Sequence, residues 1–225
     1  MANTKKYLVA GVGAAIVIAI GLSFTSYLGQ FEGDNVIQFS NQEPTEGMTT
    51  IRSSFLGSES AQITIIEVGD YQCEMCKEWY EHTRPKIIEN YVANGKAQLT
   101  FLDMPFLGMD SITASMASYC AQDQDKYWDY HVALYEHQEG IDSGWASNER
   151  LKVFAFTLDL NMDQFSLCLD SNRYYQEVKQ NFNKAKNLGV QSTPTFFILN
   201  TSGDQEIIRG AQPYSVFEQV IESLL

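Results

Sequence analysis

The clearest chemistry in the chain lies in Cys73-Glu74-Met75-Cys76. Two cysteines three positions apart stand one turn from each other when a helix begins at the first. A thiol there faces the positive end of the helix dipole and backbone N–H groups without intrahelical partners, and both favour a thiolate on Cys73. Cys76 is close enough to close a disulfide with Cys73 or to resolve a mixed one. Half of a zinc site is the rival, but it needs a second ligand pair. Cys120 and Cys168 are far apart, and His82, His131 and His137 fall on helical patterns with no cysteine at ligand spacing. The pair therefore reads as a dithiol redox centre that needs no metal and no bound cofactor, because the sulfurs carry the electrons.

The neighbouring elements are those such a pair requires. Residues 62–68 are apolar, β-branched and bounded by Gly69-Asp70, which predicts a buried strand. Beyond Cys76, apolar residues at Trp79, Tyr80, Ile87, Ile88, Tyr91 and Val92 mark one helix face as far as Asn94-Gly95, with a kink expected at Pro85. Residues 97–102 form a second strand, so the order is a parallel β-α-β crossover. Glu67 interrupts the first strand's apolar run. If buried, its carboxyl has a raised pKa and can relay a proton to or from Cys76; if edge-facing, it is simply solvated.

A helical block follows, with helices expected over 111–121, 127–135, 149–158, 162–170 and, as the last and longest, 172–188. The Trp128–Tyr135 aromatic stripe has core spacing rather than that of a cofactor groove. Sheet returns with Thr195-Phe196-Phe197-Ile198-Leu199, a turn and residues 206–209, and an amphipathic helix closes the chain. Residues 36–39 could form a further short strand. Asn200-Thr201-Ser202 is a weak glycosylation sequon.

Lys5 and Lys6 precede an almost uncharged apolar run, residues 7–28, long enough to cross a bilayer with the remainder outside the cytoplasm. An uncleaved anchor is favoured; cleavage near Thr25 or Gly29, yielding a secreted form, is the alternative. Either way the chain faces an oxidising compartment. That tips Cys120 and Cys168 towards a structural disulfide over two buried thiols. A net charge of −13 argues against nucleic-acid binding, and 44% hydrophobic with 12% aromatic content argues against disorder.

Glu67-Val68-Gly69-Asp70-Tyr71-Gln72 followed by the cysteine pair, Tyr119-Cys120-Ala121, Lys126-Tyr127-Trp128 and Thr193-Pro194-Thr195-Phe196-Phe197 occur in an order that resembles the DsbA-like family of thioredoxin-fold proteins, over about residues 50–225. The resemblance implies an α/β thioredoxin fold with an inserted all-helical subdomain, here preceded by a transmembrane helix. The expected layout is a cytoplasmic tip and anchor (1–29), a linker and N-terminal extension (30–60), the first half of the fold (61–106), the insert (107–186) and the second half (187–225). By position, Cys73 matches a solvent-exposed nucleophile, Cys76 the resolving cysteine, Pro194 the cis-proline facing them and Glu67 the buried acid. A cis turn would leave Thr193 free to pair with an extended client strand.

The implied activity is thiol–disulfide exchange with reduced exported or secreted proteins. Reoxidation would come from a membrane quinone reductase of the DsbB or vitamin-K-epoxide-reductase type. The departure is Glu74-Met75 where strong oxidases carry a histidine. A carboxylate there raises the thiolate's pKa and predicts a less oxidising disulfide than a histidine-bearing relative has, while the helix dipole still stabilises the nucleophile. Isomerase or reductase action on the same scaffold is therefore the alternative, ahead of a metallochaperone or a client-binding holdase.

Overall fold

Seven residues, Ile63–Gly69, form the central strand of the sheet, and all but Thr64 are buried. The computed structural model describes residues 36–38, as backbone, and 54–225. In chain order the strands are β1 (Val36–Gln38), β2 (Leu56–Gly57), β3 (Ile63–Gly69), β4 (Ala97–Asp103), β5 (Thr195–Asn200) and β6 (Gln205–Arg209). They lie side by side as β1-β6-β5-β3-β4-β2. Only β3 and β4 are parallel, with Ile63 opposite Ala97 and Gly69 opposite Asp103. β5 runs antiparallel to β3, bringing Thr195 opposite Val68.

The period of two sends alternate β3 side chains to opposite faces. Ile63 and Ile65 pack with Trp79, Phe196 and Phe217 under helices α1 (Glu74–His82) and α8 (Tyr214–Leu224). Trp79 and Phe196 ring centroids are 4.7 Å apart, and those of Phe196 and Phe217 4.8 Å. Ile66 and Val68 pack on the other face with Phe197, Ala185 and Val190, beneath helix α7 (Tyr175–Asn187).

The expected single helix after the cysteines is instead three pieces. α1 stops at His82, α2 (Arg84–Ile87) carries Pro85 in its first turn, and Ile88–Val92 forms a π-helical turn. Pro85 cannot donate to the preceding turn, and a first helical turn is where that missing N–H costs nothing. The break is pinned by Thr83, whose hydroxyl donates to the Gln212 carbonyl at 3.1 Å.

Between β4 and β5 stand α3 (Met109–Gln122), α4 (Tyr127–Glu136), α5 (Asn148–Thr157), α6 (Met162–Asp170) and α7. Tyr119, Tyr127, Tyr130, Tyr135, Trp145 and Phe165 are buried together, so the aromatic stripe is core. The last helix of this block is shorter than expected and is not the longest: it has 13 residues against 14 in α3. Asn172 takes a left-handed φ of 52°, which an α-helix cannot run through. Cys120 on α3 and Cys168 on α6 are joined in a disulfide.

The Asn200 amide donates to the Asp204 carboxylate (3.0 Å) and the Leu224 carbonyl (3.2 Å), so the sequon's acceptor nitrogen is already engaged. Among the described residues no helix is long and apolar enough to cross a membrane. The expected anchor, residues 7–28, lies outside the described residues.

Candidate redox site

The turn after β3 is built on Asp70. One of its carboxylate oxygens accepts from the Gln72 N–H (2.8 Å) and the Ser111 hydroxyl (2.6 Å); the other accepts from the N–H groups of Phe106 and Leu107 (2.9 and 3.1 Å). The Asp70 carbonyl accepts from the Cys73 N–H at 3.0 Å. Sequence reasoning quoted Asp70 only as part of a motif; an aspartate opening a tight turn was the available signal.

Cys73 is the N-cap of α1, with extended backbone, and Cys76 sits one turn inside. Both are free thiols. The expectation of a solvent-exposed nucleophile needs correction: Cys73 is only 8% exposed and Cys76 is fully buried. The reason is long-range. The Thr193–Pro194 peptide bond is cis, and the Thr193 carbonyl lies 3.4 Å from Cys73 Sγ, placing this loop against the sulfur. Pro194 itself is buried, whereas Glu74 and Met75 point to solvent, Met75 being 50% exposed.

The two thiols are driven apart electrostatically. A hydrogen bond from the Cys76 thiol and the N–H groups of Cys76 and Met75 lower Cys73 to about 6, against the opposing effect of burial. Burial, then the neighbouring Cys73 sulfur, pushes Cys76 well above the usual thiol value. The Glu74 carboxylate is exposed and therefore screened by water, while the N–H donors and the Cys76 thiol act on the sulfur at short range.

Glu67 is buried at 1% exposure, on the β3 face beneath α1, and one carboxyl oxygen has no hydrogen-bond partner. Burial raises its pKa to about 8, the Arg84 charge opposes this, and the Cys73 charge adds to it. Its charge in turn contributes to raising Cys76. Arg84, which sequence reasoning missed, is buried with its guanidinium 5.3 Å from the Tyr80 ring and 5.5 Å from that of Trp128. Nothing local marks a cation there; only the packed aromatic shell explains it.

At pH 7 Glu67 is therefore mostly protonated in the folded protein and ionised in the unfolded chain. The native state binds the extra proton, so stability should fall as pH rises from about 4.5 to about 8, by at most about 1.4 kcal/mol per pH unit. Glu67→Gln should flatten that slope in urea unfolding measured across this range. A slope identical to wild type would show Glu67 to be solvated.

A family model described as Thioredoxin matches residues 49–223. This chain belongs to the DsbA-like thioredoxin family. Within that family, it is 27% identical over 206 residues to the probable disulfide bond formation protein D of Bacillus anthracis, covering 88% of this chain and 90% of that one. The disulfide bond formation protein D of Bacillus subtilis is 27% identical over 173 residues, 76% of each chain. Oxidised BdbD from Bacillus subtilis superposes with a TM-score of 0.70 at 25% identity, over 83% of this chain and 97% of that one. Among the described residues, no group of three or more His, Cys, Asp or Glu side chains could hold a metal.

Proposed function

We propose that this protein thiol:disulfide oxidoreductase acts as an oxidase outside the cytoplasm, donating a Cys73–Cys76 disulfide to exported proteins. The observation that carries the direction is Cys73 Sγ at a helix N-terminus, against the N–H groups of Met75 and Cys76. Stabilising the thiolate stabilises the reduced protein, and so makes its disulfide the better electron acceptor.

A client thiolate attacks Cys73 Sγ, the Cys73–Cys76 bond breaks, and Cys76 leaves with the electron pair and takes a proton. Glu67, protonated near neutral pH and felt electrostatically by Cys76, would supply it. The client's second thiolate then attacks the client sulfur of the mixed disulfide, leaving an oxidised client and a reduced dithiol. Two electrons and two protons must be removed before the next cycle, a task suited to a membrane quinone reductase of the DsbB or vitamin-K-epoxide-reductase type. An apolar segment at residues 7–28 would hold the enzyme beside such a partner. Exposed Met75, Phe106, Met109 and Ile141 give unfolded clients an apolar surface.

Cys76→Ala expressed in native membranes should accumulate mixed disulfides on Cys73, resolved as higher-mass species on non-reducing gels and lost on reduction. Capture of no partner would overturn the proposal. Equilibration of the wild type with glutathione at fixed ratios separates oxidase from reductase.

A further inference from the structure

The three residues Tyr71, Gln72 and Cys73 are gripped by one segment of the insert, the loop after α4. The Gln138 side-chain amide uses both of its N–H groups here, donating to the carbonyl of Tyr71 (2.5 Å) and to that of Cys73 (3.2 Å). The Gln72 side chain between them accepts from the Asp142 N–H (2.6 Å) and the Trp145 indole (3.4 Å), and donates to Ser111 (2.9 Å) and Asp142 (3.3 Å). Lys77 on α1 reaches back to the Gln138 carbonyl at 3.3 Å. Gly108, at φ 142°, leaves room for the Asp142 carboxylate, which a Cβ would overlap.

Cys73 is where the chain turns from extended to helical, at φ −77° and ψ 117°. Rotation of the peptide plane after it swings the next N–H groups relative to its sulfur. Its carbonyl accepts the first helical bond, from the Lys77 N–H at 3.1 Å, and Gln138 fills the second lone-pair direction. We propose that Gln138 is a positioning residue for the redox pair: its amide orients the peptide planes before Gln72 and after Cys73, and so presents Cys73 Sγ to the N–H groups of Met75 and Cys76. This role rests on the reading of the cysteines as an exchanging pair.

Gln138→Met keeps the stem and volume but cannot donate. In the reduced full-length chain, followed by thiolate absorbance, the Cys73 transition near pH 6 should move up by about one unit. Thiolate at pH 6 then falls from about half to about a tenth, and the alkylation rate drops about five-fold. Gln138→Lys retains a donor and adds a positive charge beside the thiolate, so its transition should lie at or below that of the wild type. Gln124→Met, which removes a comparable pair of amide contacts with Asn161 elsewhere in the insert, should lower the unfolding midpoint without moving the titration. If Gln138→Met does not fold, Gln138→Asn, too short to span both carbonyls, carries the same expectation. A Gln138 variant lacking the contacts that titrates like wild type overturns the proposal while leaving exchange chemistry intact. A wild type that exchanges no disulfide with a dithiol peptide overturns both.

Discussion

Cys73→Ser should abolish disulfide exchange with a dithiol peptide, a loss of at least about 10⁴-fold, while leaving the fold intact. A serine hydroxyl can still donate to the Thr193 carbonyl, the partner of the native thiol at 3.4 Å, so little packing is lost. It cannot form the bond that exchange requires. The companion observation is the pH dependence of Cys73 alkylation in the reduced wild type. The reactive species is the thiolate, so the rate should level off above about pH 6 and fall ten-fold per unit below it. An unperturbed thiol titrates near 8.5, so at pH 5 the thiolate fraction favours Cys73 by about 300-fold. Its lower nucleophilicity returns roughly ten-fold of that, leaving an advantage of about 20- to 30-fold. A rate profile centred above pH 8 would remove the basis for the whole mechanism.

The second large effect concerns stability. Cys120 and Cys168 are 48 residues apart, each about 1% exposed, and their bond ties α3 to α6 inside the insert. Opening it by Cys120→Ala with Cys168→Ala frees the unfolded chain of a long closed loop. The chain-entropy model puts the cost at about 4 kcal/mol, close to a 1,000-fold change in the folding equilibrium. For a chain of this size the midpoint temperature should drop by about 8–16 °C. Urea unfolding at pH 7 measures it directly, and a change below about 1 kcal/mol would mean that the unfolded ensemble is already compact there. The comparison is made with Cys73 and Cys76 held in one redox state, because the stabilised Cys73 thiolate makes the reduced protein the more stable form.

Much of the site was legible because its determinants are local. Two sulfurs at helical spacing after a β-branched strand specify a helix N-terminus with a thiol on it, and both the strand and α1 are where the pattern puts them. The aromatic stripe from Tyr127 to Tyr135 follows a core period and is core. Errors arose where a local rule competed with a distant contact. The interruption expected at Pro85 is found; what residue order does not show is that Thr83 is bonded there to Gln212, more than a hundred residues away in the chain. Cys73 matches an exposed nucleophile by position, yet the loop at Thr193, far along the chain, covers it. Asn172, expected to open the last helix of the insert, takes a left-handed backbone conformation that periodicity does not register, and that helix begins only at Tyr175.

What the sequence by itself determined is the kind of chemistry: a dithiol pair at the start of a helix, in a β-α-β frame, with a proline loop late in the chain. Only the tertiary structure decided how the two sulfurs differ. Thr193 reaches Cys73 because β5 returns antiparallel beside β3, and Gln138 reaches it because the insert folds back over the turn. Arg84 faces the field of Glu67 because an aromatic shell from two separate elements encloses it. Hydrogen bonds and burial act through distance in space, and residue order encodes that distance only after the chain has packed.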